Sequence, residues 1–149
     1  MSSSTFEEQL ALHGKIVYTN VGDSMMPLIK QGRDALIIER PTEAPRKYDV
    51  PLYKRPSGQY VLHRIIGKGR DGYRICGDNR ISVERGVTED QIIGILTGII
   101  RDGKEISLST AGYKLYSFYH ADLFFIKVIL FKLRAVFEVI TGKRRLKKK

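Results

Sequence analysis

The 149-residue chain holds one cysteine, Cys76, so an internal disulfide is excluded, and no partner at zinc-ligand spacing accompanies it. Cys76 reads as a buried small apolar residue. The N-terminus, MSSSTFEEQLALHGK, lacks the basic start and apolar run of a cleaved secretory signal. Nowhere does the chain offer the roughly 20 uncharged apolar residues that a spanning helix needs. Internal repeats are absent. Acidic residues are scarce at one end: residues 127–149 hold nine Lys and Arg against the single Glu138, a net +8 of the chain's +10, while the other 126 residues carry only +2. A basic tail, rather than a basic domain, requires a partner, and anionic lipid or nucleic acid are the candidates. A solubilising tail is the alternative.

What is present suits one domain with an appended helix. We divide the chain into a β domain over residues 1–110 and an amphipathic helix with a basic tail over 111–149. Thr5 followed by Glu8 is a capping-box pattern opening a short helix over 5–13 that stops at Gly14. Seven short runs rich in Ile, Val and Tyr follow, at 15–21, 34–40, 49–54, 59–67, 72–77, 92–101 and 105–109. The turn signals QGR, PTEAPR, RPSG, KGRDG and RDGK separate most of them. They predict a mainly β fold, a coiled small sheet or partly open barrel. Pro51 removes a ladder donor, so its strand is expected at an edge or with a bulge.

From Ala111 the pattern becomes one long helical segment with Gly142 as its stop. Lys127, Arg134 and Glu138 fall on one stripe, and Phe125, Ile129, Val136 and Ile140 lie opposite. Charges in its interior make it a poor spanning helix. An interfacial helix at an anionic membrane surface, with KRRLKKK gripping lipid, fits residues 113–149; packing on the β core or in a partner's groove is the competing reading. The expected location is therefore peripheral at a membrane, or cytoplasmic. Nucleic acid is the weaker partner, since the aromatics of this segment follow its apolar periodicity and form no stacking platform.

Residues 22–27 read GDSMMP, a crowded turn around a serine. Gly22 leaves room for an extended peptide, with Met26 beside it in the same groove, and the turn can aim the amides of Ser24 and Met25 at a developing oxyanion. A serine hydroxyl becomes a nucleophile only beside a positioned base. His63, flanked by apolar residues in an expected strand, is the candidate; His13 and His120, on helices, are weaker. In CGDNRISVERG (76–86), Asp78 and Glu84 offer carboxylates to orient His63, and Ser82 a supporting hydrogen bond. Each feature alone also has a plain structural reading as a turn serine, a strand histidine or a tight Gly-Asp-Asn turn.

The order VGDSMMP, then VLHRII, then YRICGDNRISVERG resembles the type I signal peptidase family, which shares its catalytic fold with the self-cleaving LexA-like repressors. The resemblance covers about residues 15–109 and is to the histidine-base branch. It implies Ser24 as nucleophile, His63 as general base and Asp78 as the aspartate of Gly-Asp-Asn, acting without metal or cofactor on a peptide or preprotein. Where that branch has its acidic third member the chain has Glu84, and the family's N-terminal anchor is missing. Fifteen residues before the first strand cannot hold the repressors' DNA-binding domain. The expected function is a serine endopeptidase processing a signal or leader peptide; the alternative is a non-catalytic peptide-binding module of the same fold. Oligomeric state is not read from the sequence.

Overall fold

The computed structural model describes residues 4–19 and 21–142. The basic run 143–149, on which part of the membrane expectation rests, lies outside the described residues. The chain opens with α1 (Phe6–His13), where Thr5 accepts from the Glu8 amide and Glu8 returns the bond in a capping box; Gly14 closes it in the left-handed region at φ 69°. Nine strands follow among the described residues: β1 (Lys15–Thr19), β2 (Asp34–Glu39), β3 (Pro51–Lys54), β4 (Tyr60–Leu62), β5 (Arg64–Gly69), β6 (Gly72–Cys76), β7 (Glu84–Val87), β8 (Ile92–Arg101) and β9 (Lys104–Ser107). The larger, curled half-barrel sheet runs β1-β2-β8-β3-β4 with β9 added to β8, and β5-β6-β7 form the smaller one. The mainly β architecture with a short N-terminal helix and C-terminal helices is as the sequence predicts.

Each of the seven apolar runs contains strand. The run 59–67 is divided: β4 belongs to the large sheet and β5 to the small one, and His63 is the residue between them. His63 is therefore not within a strand as expected, but at the point where the chain changes sheets. β7 was not anticipated, because ERGV lacks apolar alternation; it is held by pairing with β6 at Tyr73↔Val87 and Ile75↔Glu84. For Pro51 the bulge, not the edge, is the expected alternative that holds. Its strand lies inside the sheet between β8 and β4, so it is no edge and no side of an open groove. The missing donor is tolerated because Pro51 is the strand's first residue, paired to Ile95 alone, and the register with β8 shifts just after Leu52.

Two apolar clusters fill the fold. Leu36, Ile38, Leu52, Leu96 and Ile99 of the large sheet pack with Leu10 of α1 and with Met25 and Ile29 of the turn that follows β1. Tyr53, Ile65, Tyr73, Ile75 and Ile92 form the second, between the sheets. Close packing leaves no room at Gly94, where a Cβ would fall 2.3 Å from Ile38 Cγ2.

The expected single C-terminal helix is two: α2 (Ala111–Ala121) and α3 (Phe124–Ile140). The break falls at Asp122 and Leu123, where the Asp122 carboxylate takes bonds from Lys47 and from Tyr48 Oη at 2.6 Å, tying the helix end to the β body. No helix among the described residues is long and apolar enough to cross a membrane.

Candidate active site

The antiparallel register of β5 and β6 pairs Arg64 with Cys76. Continued by one residue, it sets His63 opposite Gly77. The turn after β1 closes on the same place: the Asn79 amide donates to the Ser24 carbonyl at 2.8 Å, and Asn79 Nδ2 donates to the Asp23 carbonyl at 3.2 Å. Arg80 pairs with Asp23 across the same junction. Three segments far apart in sequence, 22–27, 63–64 and 76–80, thus converge.

Gly77 is the meeting point. A Cβ on this residue would lie 2.7 Å from the Ser24 carbonyl oxygen and 3.1 Å from His63 Nε2, so only glycine lets the loop pass between them. Ser24 is half-buried; Met25 is fully buried and anchors the turn in the core, while Met26 is partly exposed. The Met26–Pro27 bond is cis. Gly22 has φ 117°, and the space where a side chain would project is open, as an approaching peptide requires.

On its other side the His63 ring meets Glu84, with Nδ1 3.6 Å from Oε1, beyond hydrogen-bond distance. Nδ1 is buried and has no hydrogen-bond partner among the described residues. Burial pushes the His63 pKa down to about 4; the Glu84 charge opposes this and the Arg55 charge adds to it. The imidazole is accordingly neutral at pH 7 and able to accept a proton. Burial alone would raise the Glu84 carboxyl, but the bonds and the charge of Arg55 hold it below the usual carboxylate range. Glu84 therefore stays anionic beside His63, shared with a guanidinium.

Asp78 is turned away from His63. It receives two 2.8 Å bonds from Arg64 Nε and Nη2 and a third from Tyr116 Oη at 3.0 Å. Arg64 is wholly buried, and its remaining nitrogen reaches the Tyr48 carbonyl, Tyr113 Oη and Ser117 Oγ. His120 stands 3.8 Å from Asp78 and packs against Tyr116. Lys127 of α3, also buried, donates to the Gly77 carbonyl at 3.1 Å. These groups form a charged platform beneath the Gly-Asp-Asn loop and tie it to both C-terminal helices. Of the two carboxylates the sequence offered, Glu84 faces the imidazole and Asp78 holds the loop. Ser82 is exposed, and its carbonyl accepts from the Cys76 thiol at 3.3 Å.

Sequence reasoning missed Arg55, Arg64, Tyr116, Ser117 and Lys127. Arg64 carried a signal, since an arginine among buried apolar neighbours needs a carboxylate partner. No group of His, Cys, Asp and Glu side chains among the described residues is arranged to hold a metal ion. Comparison of the chain with family models, with curated proteins and with solved structures finds no match.

Proposed function

We propose that the chain is a serine endopeptidase acting on extended polypeptide, with Ser24 as nucleophile, His63 as general base and Glu84 as the carboxylate that orients it. The observation that carries this reading is the convergence at Gly77 of the Ser24 turn and the Nε2 edge of His63, while the Nδ1 edge of the same ring faces Glu84. That is the order of groups a Ser-His-carboxylate relay needs. In the reaction Ser24 Oγ bonds to the scissile carbonyl carbon as His63 takes its proton, and amides of Ser24 and Met25 face the oxyanion. The carbon–nitrogen bond then breaks, with the proton passing from His63 to the leaving amine. Water, deprotonated by His63, hydrolyses the acyl-enzyme and regenerates Ser24. β4 lies at the end of the large sheet and leads directly into His63, so a substrate strand added there would pass the reacting pair. The sequence resemblance to signal peptidases points to signal or leader segments as the polypeptide cut.

A second reading, a peptide-binding module without turnover, draws on the Arg55–Glu84 pair: Glu84 is engaged elsewhere and His63 Nδ1 has no hydrogen bond among the described residues. A fluorophosphonate probe with adduct mapping separates the two. The peptidase reading expects a single adduct on Ser24, lost in Ser24→Ala and in His63→Ala. An adduct on another residue, no adduct at all, or labelling unaffected by His63→Ala overturns it.

A further inference from the structure

α3 is mounted inside out for a helix facing water. Its one buried residue is a lysine, Lys127, whose ammonium is held against the Gly77 carbonyl, and burial lowers its pKa. Its outward side is apolar. Phe125, Ile129, Leu133, Val136 and Ile140, spaced by three or four residues, form one continuous stripe, and each is more than half exposed, Ile140 reaching 77%. Leu130, Phe137 and Val139 broaden it. A solvated helix would place Lys127 outside and the stripe inside, so the stripe faces something other than water.

Charge selects the occupant. Arg134 and Lys132 lie on α3, its single acid Glu138 is paired with Arg134 at 3.1 Å, and two residues past Ile140 the sequence continues as KRRLKKK. An apolar stripe bordered by this much positive charge complements an anionic bilayer, whose headgroups meet the lysines and whose acyl region takes the stripe. A second copy of the chain would have to bring two strongly cationic segments together. Nucleic acid would leave the stripe in water. With 17 residues α3 is about 25 Å long, shorter than the roughly 30 Å hydrocarbon core, and its charges fall along its length, so it lies in the interface rather than across it.

We propose that the α3 stripe is a docking face for anionic lipid bilayers, with Lys127 and the Asp122 contacts fixing the helix to the β body so that the stripe points outward. The proposal stands apart from the catalytic reading of Ser24 and His63. The test is co-flotation of the full chain with vesicles of phosphatidylcholine containing about one-third phosphatidylglycerol, and with phosphatidylcholine alone, beside sedimentation without lipid. Binding is expected to the anionic vesicles, at least ~10-fold weaker to the neutral ones, and weakened by molar salt. Ile129→Glu with Val136→Glu should reduce anionic binding at least ~30-fold while circular dichroism stays native, and deletion of residues 143–149 should reduce it by ~100-fold or more. The proposal fails if the full chain stays with the unbound fraction on anionic vesicles. It also fails if the Glu variants bind as well as the parent, or if the chain sediments as a dimer that the Glu variants dissociate while vesicles are ignored.

Discussion

Lowering the pH from 7 to 5 should destabilise the folded protein chiefly through two histidines. His63 and His120 are buried, their side chains only 12% and 8% exposed, and burial pulls each pKa from 6.5 down to about 4. At His63 the Glu84 and Asp78 charges oppose that pull, while Arg55 and Arg80 reinforce it; at His120 Asp78 opposes, and Lys127 and Arg64 reinforce. Because the folded-state value lies below the unfolded one, the unfolded chain binds more protons between pH 6.5 and 4. Stability therefore rises with pH through that window and is lost as pH falls through it. One pKa unit corresponds to about 1.36 kcal/mol. At pH 5 each histidine is almost fully charged when unfolded and almost fully neutral when folded, so each costs about 2 kcal/mol relative to pH 7, about 4 kcal/mol for the pair. Carboxyls held low by their partners, such as Glu7 and Glu84, add their losses mainly below this window. Urea unfolding followed by circular dichroism at the two pH values measures the difference, and His63→Gln should halve it. The fluorophosphonate labelling rate should stay level down to about pH 5 and fall about tenfold per unit below pH 4. Stability independent of pH between 7 and 5, or a labelling limb centred at 6.5 or above, would refute the burial argument.

Three further outcomes follow from the same geometry. Gly77→Ala puts a methyl 2.7 Å from the Ser24 carbonyl and 3.1 Å from His63 Nε2; labelling should drop at least ~100-fold with secondary structure intact, and labelling at the parent rate would deny that the two groups meet there. Asp78→Asn leaves the Arg64 guanidinium buried with a neutral partner and should cost about 3–5 kcal/mol in urea unfolding; a loss below about 1 kcal/mol would mean that the pair is not load-sharing in the fold. Arg55→Met removes a cation that lowers the His63 pKa and releases Glu84, so the acid limb of labelling should move upward from about 4; an unmoved limb would exclude Glu84 as the group that tunes His63.

The β fold was legible because each strand run is short, apolar and bounded by turn residues, and α1 because Thr5, Glu8 and Gly14 specify both ends. The site was legible only as far as residue type allowed. Ser24, His63 and Glu84 stood out as a nucleophile, an isolated base and a nearby acid, and the structure gathers them. The split between Glu84 and Asp78 was not readable, since it depends on which carboxylate the buried Arg64 takes, a fact of sheet register. β7 escaped because pairing with β6, not side-chain pattern, holds it. The α3 periodicity was visible, but not its orientation: amphipathicity states that a helix has two faces, and tertiary contacts such as Lys127 with Gly77 decide which face is covered.

The register of β5 against β6 explains why His63 and the buried ion pair are neighbours. His63 and Arg64 are consecutive, and so are Gly77 and Asp78; with Arg64 opposite Cys76, the histidine is opposite Gly77 and the arginine reaches diagonally to Asp78. Along an extended chain consecutive side chains point to opposite sides, so Arg64 and Asp78 point inward to each other while His63 and Gly77 meet on the opposite side. The inward pair is a bidentate salt bridge whose geometry tolerates little sliding. The outward pair inherits that precision, and the Asn79 amide carries it on to the Ser24 carbonyl. A buried charge pair, costly in itself, thereby fixes a hydroxyl-bearing turn and an imidazole relative to each other without a bond between them. This is the reason the Asp78 and Gly77 substitutions should fail differently, the first by loosening the whole junction and the second by blocking it.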